Sequence, residues 1–182
     1  MAIKVGDRIK LTYREYALLP DDGRTHELID GRHYMSPSPS AYHQRISRRI
    51  QVQLYQQLEV SGRGEVFNAP FDVQLSQFDV VQPDLAVFLS EHIRRISPSR
   101  ALGPPDLAVE ILSPSTAAKD RDLKLELYRQ AGVPEYWIVD PEAHQVIVHH
   151  LQEGNLDERG VFTDRVAMAN PADVVVDLTQ VW

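Results

Sequence analysis

The spacing of apolar residues along the chain changes period several times, and each change marks an element. From Tyr42 to Leu58 they recur every fourth position, at Tyr42, Ile46, Ile50, Leu54 and Leu58. That is the stripe of a long helix with one buried face. Gln44, Arg45, Arg48 and Arg49 lie on its flanks, where a solvated face is the default and contact with phosphates the alternative. Gly62 supplies a stop. Upstream, Thr12-Tyr13-Arg14-Glu15 has the spacing of a capping box and opens a short helix to about Leu19. Asp21-Asp22-Gly23 reads as a turn. Glu27-Leu28-Ile29 and His33-Tyr34-Met35 then flank Asp30-Gly31, a strong hairpin signal. Ser36-Pro37-Ser38-Pro39-Ser40 separates the hairpin from the long helix.

Beyond the helix the period falls to two, which predicts strands over 71–75 and 80–88. Residues 90–104 hold Arg94, Arg95, Arg100 and several prolines, and read as a loop with one helical turn. A strand over 106–112 follows, then a helix capped by Ser115 or Thr116 that runs to Gln130 and is closed by Gly132 and Pro134. Strands over 135–139 and 146–151 surround Asp140-Pro141-Glu142, and the remainder reads as two weak strands ending at Trp182. This order predicts a single α/β or α+β domain over 1–182, a mixed β-sheet flanked by helices with an N-terminal hairpin and a long helix.

One residue disturbs the pattern. Glu110 occupies a position in Leu107-Ala108-Val109-Glu110-Ile111-Leu112 where a buried strand calls for another Val or Ile. Carboxylates are almost never fully buried without a partner, and an ionised one left alone there costs several kcal/mol or neutralises. Pro83-Asp84-Leu85-Ala86-Val87 and Pro105-Asp106-Leu107-Ala108-Val109 repeat the same words. Asp106 shares a strand with Glu110, but at roughly 3.3 Å per residue their Cα atoms lie about 13 Å apart, too far for one metal. Asp84 belongs to a neighbouring strand and can stand opposite Glu110, with Ala86 and Ala108 leaving room beside both acids. Two such carboxylates stay ionised together only with a cation between them. Mg²⁺ or Mn²⁺ suits an all-oxygen site. Lys124 sits at the edge of the Leu123, Leu127, Ala131 stripe on the following helix, within reach of the pair, whereas Lys119, Arg121 and Arg129 point to solvent. Two acids and a lysine on such a core point to metal-assisted hydrolysis of a phosphodiester, with Lys124 orienting the attacking water and stabilising the transition state. The helix N-terminus at Ser115-Thr116 adds N–H groups that face an anion.

Composition narrows this further. The chain has 182 residues, enough for a substantial core, and no apolar run long enough to span a bilayer. Met1 to Asp7 lack the apolar segment of a secretory leader. Cysteine is absent, which removes disulfides and thiolate metal sites and fits a reducing cytoplasm. A net charge of −7 argues against a protein that coats nucleic acid non-specifically.

These residues resemble the PD-(D/E)XK nuclease superfamily and, more closely, the Uma-two family of restriction endonucleases. The matching words are Glu27-Leu28-Ile29-Asp30-Gly31, His43-Gln44, Gln82-Pro83-Asp84-Leu85, the run from Val109 to Thr116, Asp120-Arg121, Lys124, Tyr128 and the run from Ala131 to Trp137. The resemblance implies a restriction-endonuclease-like core with Asp84 and Glu110 as metal ligands; DNA is the expected substrate, and a homodimer is expected by analogy with enzymes that cut both strands. The superfamily expects its lysine two residues after the acid. Leu112 stands there, and the resemblance moves the lysine to Lys124. It also brings Glu27 and His43 towards the cleft as further catalytic residues.

Blander readings compete with each residue. Glu110 and Glu27 suit buried bonded acids, Asp84 a strand-end acid, Lys124 a snorkelling lysine and His43 a helix-start histidine. Their sum is a catalytically silent nucleic-acid- or protein-binding module on the same fold. His149 and His150 face opposite sides of a strand and form no chelate. Ser113 and Ser115 lack the turn of a serine hydrolase.

Overall fold

The computed structural model describes residues 9–20, 22–113 and 117–182. A six-stranded sheet forms the centre, in the order β11-β10-β9-β8-β6-β3. Its strands are β3 (Gly64–Asn68), β6 (Leu85–Leu89), β8 (Leu107–Ile111), β9 (Glu135–Asp140), β10 (Gln145–Gln152) and β11 (Asn155–Phe162). All neighbours are antiparallel except β8 and β9. Those two run parallel because the chain between them returns through the helix α3 (Ala117–Ala131). Ile46, Ile50, Leu54 and Leu58 of α2 (Ala41–Leu58) pack with Leu85, Val87 and Val109 on one face. Leu127 and Tyr128 of α3 pack with Ala86 and Ala108 on the other. Strands covered on both faces are apolar throughout, as in Leu85-Ala86-Val87-Phe88-Leu89.

A five-stranded sheet in the order β2-β1-β5-β4-β7 lies beside it: β1 (Thr25–Ile29), β2 (Arg32–Ser36), β4 (Val73–Gln74), β5 (Val80–Val81) and β7 (Ala101–Leu102). Asp30 and Gly31, at φ 51° and 71°, make the two-residue hairpin turn between β1 and β2. A β-carbon on Gly31 would lie 2.4 Å from Lys10 Cβ, so glycine is required twice over. The capping box opens α1 (Tyr13–Tyr16), whose Tyr16 packs on Leu28 and Val80.

Several sequence expectations need correction. The strand over 80–88 is two strands in different sheets: Gln82-Pro83-Asp84 breaks it, because proline offers no N–H to a ladder. The strand over 71–75 shrinks to β4. β3 was not anticipated, since the turn after α2 obscures the alternation of Gly64-Glu65-Val66. Tyr42 is exposed rather than part of the buried stripe. Ser115, Thr116 and Asp21 lie outside the described residues, as do the side chains of Lys119 and Arg121.

The C-terminal strands β12 (Arg165–Ala167) and β13 (Val175–Asp177) pack beneath α2. There α2 supplies hydrogen bonds that a neighbouring strand would otherwise provide. Gln57 accepts from Val175 N at 2.9 Å and donates to Val175 O at 2.8 Å. Gln53 treats Asp177 in the same way, at 2.7 and 3.2 Å. Arg49 donates to Trp182 O at 2.6 Å. This row at i, i+4 and i+8 fixes the helix that carries His43. Gln57→Ala strands the Val175 N–H and C=O, and is expected to lower stability by about 1–3 kcal/mol in urea denaturation. Gln56→Ala, on the exposed side, should change it by less than about 0.5 kcal/mol; equal effects would contradict the pairing.

Candidate active site

The ladder between β6 and β8 pairs Leu85 with Val109 and Ala86 with Ala108. Its next step brings Asp84 beside Glu110. Asp84 Oδ2 accepts the Ile111 N–H at 2.7 Å. It also lies 3.3 Å from His43 Nε2, at the start of α2, where Ser40 caps the helix. The same nitrogen is 3.2 Å from Ile111 O. Two acceptors around Nε2 place the proton there. Asp84 holds the imidazole pKa above its ordinary value, although burial alone would lower it.

Glu110 emerges from β8 towards α3. Lys124 and Tyr128 stand one turn apart on that helix, so both meet the same carboxylate. Lys124 Nζ donates to Glu110 Oε1 at 2.8 Å and to Glu27 Oε1 at 2.9 Å. Tyr128 OH donates to Glu110 Oε1 at 2.7 Å. Glu27, on β1, also accepts from Gln82 N at 3.0 Å. Burial raises the Glu110 pKa to about 7, the Lys124 ammonium opposes this, and the carboxylates of Asp84 and Glu27 add to it. Burial acts to lower the Lys124 pKa, but Glu110 and Glu27 together drive it well above its ordinary value.

All five residues singled out in the sequence thus converge: Glu27, His43, Asp84, Glu110 and Lys124. Tyr128 went unread as part of the constellation, although its position four residues after Lys124 was the available signal. Among the described residues, three carboxylates face one ammonium and one imidazole, which leaves negative charge unbalanced. Asp84 Oδ1 and Glu110 Oε2 accept no hydrogen bond among the described residues. Two anionic oxygens with free lone pairs fit a hard divalent cation completed by water or phosphate.

The opposite end of the same ladder repeats the local geometry with a different outcome. Asp106 Oδ2 accepts the Leu89 N–H at 2.8 Å, and Oδ1 pairs with His92 Nδ1 at 2.7 Å. Among the described residues, Glu91, His92 and Asp106 are the group of three acidic or histidine ligands whose donor atoms lie within 4.8 Å of one another. Glu91 is exposed there, and the donors largely satisfy each other. Glu135 lines the adjoining cavity of about 190 Å³ and accepts from Trp137 Nε1 at 2.6 Å and Ala169 N at 2.8 Å. His150 Nε2 lies 3.6 Å from this carboxylate.

The sheet order, the crossover helix and these acids define a restriction-endonuclease-like nuclease fold. The sequence matches the Uma2 family, described as "Putative restriction endonuclease", over residues 13–179, and the chain belongs to that family. An uncharacterized protein of the cyanobacterium Synechocystis is 29% identical over 147 residues, covering 79% of this chain and 76% of the relative. The crystal structure of a protein from Anabaena variabilis, titled a "putative nuclease", matches with a TM-score of 0.79 at 21% identity, over 94% of this chain and 97% of that one. That likeness establishes the fold. Among the described residues no helix is long and apolar enough to cross a membrane.

Glu135 gives a test of the electrostatics away from the site. Burial raises its pKa from 4.5 to about 7, so between those values the folded state holds a proton that the unfolded chain has released. Its contribution to stability is therefore complete at low pH and lost as pH rises through 7, by up to roughly 3 kcal/mol. Glu135→Gln should flatten the stability profile across that window in urea melts. An unchanged slope would assign it to other groups.

Proposed function

We propose that the protein is a Mg²⁺- or Mn²⁺-dependent DNA endonuclease that hydrolyses phosphodiester bonds at the Asp84–Glu110 site. The observation that carries this reading is the buried Lys124 shared by Glu27 and Glu110, with Asp84 beside Glu110 and, among the described residues, no donor to Asp84 Oδ1 or Glu110 Oε2. Asp84 and Glu110 would hold the metal. When bound, it supplies the positive charge that acidifies water and draws electron density from the phosphate.

The chain's own residues do the remaining work. Lys124, anchored by Glu27, keeps its ammonium beside Glu110, where it orients the attacking water and meets the charge that develops on the phosphate oxygens. Water adds to phosphorus, the P–O bond to the leaving sugar oxygen breaks, and that oxygen takes up a proton as it leaves. His43 steadies Asp84 through its Nε2–H. Asp84 holds the His43 pKa above the ordinary value although burial acts to lower it, which favours the form that can donate a proton. Cleavage of both strands calls for two sites, which supports a homodimer. The absence of cysteine supports a cytoplasmic setting.

The alternative is a catalytically silent nucleic-acid- or protein-binding module. It is favoured by the way Glu27 and Glu110 already occupy the Lys124 ammonium, as in a purely structural ion cluster. Plasmid nicking in Mg²⁺ separates the two. Wild type should nick, while Glu110→Gln and Asp84→Asn should lose at least about 100-fold in rate. Cleavage that survives both substitutions overturns the site. A folded wild type that neither nicks nor takes up metal in calorimetry establishes the silent module.

A further inference from the structure

A carboxylate offers a metal one oxygen cleanly only when something fixes the other. Glu110 Oε1 receives two donors, the Lys124 ammonium at 2.8 Å and the Tyr128 hydroxyl at 2.7 Å, and no donor among the described residues reaches Oε2. Tyr128 is fully buried in the apolar cluster beneath α3. Its ring packs against Tyr136 at 4.8 Å between centroids, so the direction of its O–H is set by packing rather than by solvent. A phenol in such a place needs a polar partner. The partner it meets is the one strand acid that the hydrophobic pattern does not explain.

The two donors differ in kind. Lys124 divides its charge between Glu110 and Glu27, and a flexible ammonium can follow either. The hydroxyl has a rigid ring behind it and one acceptor in front of it, so it defines the rotation of the Glu110 carboxylate. We infer that Tyr128 is a positioning residue for metal binding: its hydroxyl pins Glu110 Oε1 and so presents Oε2 to the divalent cation. This rests on the nuclease reading above and adds a residue that touches neither metal nor phosphate. Removing the hydroxyl lets the carboxylate rotate towards Lys124, which shares its remaining oxygen with the ammonium and weakens the metal site without abolishing it.

Calorimetric titration of the metal-free protein with Mn²⁺ tests this, comparing wild type, Tyr128→Phe and Glu110→Gln. Tyr128→Phe should weaken binding about 10–100-fold, the range found when the partner of a metal ligand is removed, while thermal melting shows the fold intact. Plasmid nicking should then recover at high Mg²⁺, with the apparent metal requirement raised and the saturated rate near wild type; a merely structural role would depress the rate without moving that requirement. Unchanged Mn²⁺ affinity in Tyr128→Phe, with binding lost in Glu110→Gln, overturns the inference and leaves the site standing. Wild-type affinity in Glu110→Gln overturns the underlying reading instead. Should Tyr128→Phe fail to fold, 3-fluorotyrosine at position 128 keeps the hydroxyl and reports by ¹⁹F NMR. Its resonance should move on Mg²⁺ addition with the midpoint of a parallel Mg²⁺ calorimetric titration, and a resonance that stays fixed through saturation overturns the inference.

Discussion

The Lys124 ammonium between Glu27 and Glu110 is the contact on which the rest of the architecture depends. Each of these groups loses several kcal/mol of hydration on burial, and an ion pair at about 4 Å returns roughly 4 kcal/mol at the effective dielectric of a protein. Two carboxylates that share one ammonium therefore come near energetic balance, and removal of Lys124 leaves two buried carboxylates without their common partner. The cluster also joins elements distant in sequence. Glu27 comes from the hairpin of the small sheet, Glu110 from the centre of the large sheet and Lys124 from the crossover helix. One ammonium against two carboxylates already leaves negative charge over, and Asp84 adds to it on the Glu110 side. Burial first, and then the carboxylates of Asp84 and Glu27, raise the Glu110 pKa to about 7 against the pull of Lys124.

The site forms where the chain passes from one sheet to the other. Val80 and Val81 end in the small sheet, and Leu85 begins in the large one. The three residues between them each contribute to the crossing. Gln82 gives its N–H to Glu27, and its side chain reaches Tyr16 and Asp72. Pro83 ends the first ladder, and Asp84 takes the N–H of Ile111. The bonds that stitch the two sheets together thus also orient two of the acids. Acids held by backbone geometry in this way need little rearrangement when a charge arrives.

Much of this was legible in the sequence because it rests on local rules. Asp30-Gly31 dictates its turn, the i+4 stripe dictates α2, and an acid inside an apolar strand demands a partner. Small residues at Ala86 and Ala108 told which face had room. What escaped depends on the packing of distant parts. Apolar runs on both sides of Gln82-Pro83-Asp84 concealed a change of sheet, since both halves are buried and only three residues separate them. The alternation of β3 was masked by Gly64, whose lack of a side chain reflects the carbonyl of Phe88, 2.6 Å from where a β-carbon would sit. Tyr128 was hidden for a different reason: a tyrosine on the buried face of a helix looks like core until the carboxylate opposite its hydroxyl is known.

The repeated words Pro-Asp-Leu-Ala-Val show how far local sequence reaches. Asp84 precedes β6 and takes the N–H at the far end of β8; Asp106 precedes β8 and takes the N–H at the far end of β6. Each also meets a histidine, His43 in one case and His92 in the other. The two ends of this antiparallel ladder are thus capped in the same manner, and the motif by itself specifies a strand cap with an imidazole beside it. The two ends differ in what the fold brings to them: at the Asp84 end the hairpin delivers Glu27, and α3 delivers Lys124 and Tyr128, around an acid that the strand itself supplies. At the other end Asp106 meets His92 and an exposed Glu91, and among the described residues no lysine joins them. The difference between a structural aspartate and a ligand therefore lies in whether the fold surrounds it with more negative charge than its own bonds can neutralise.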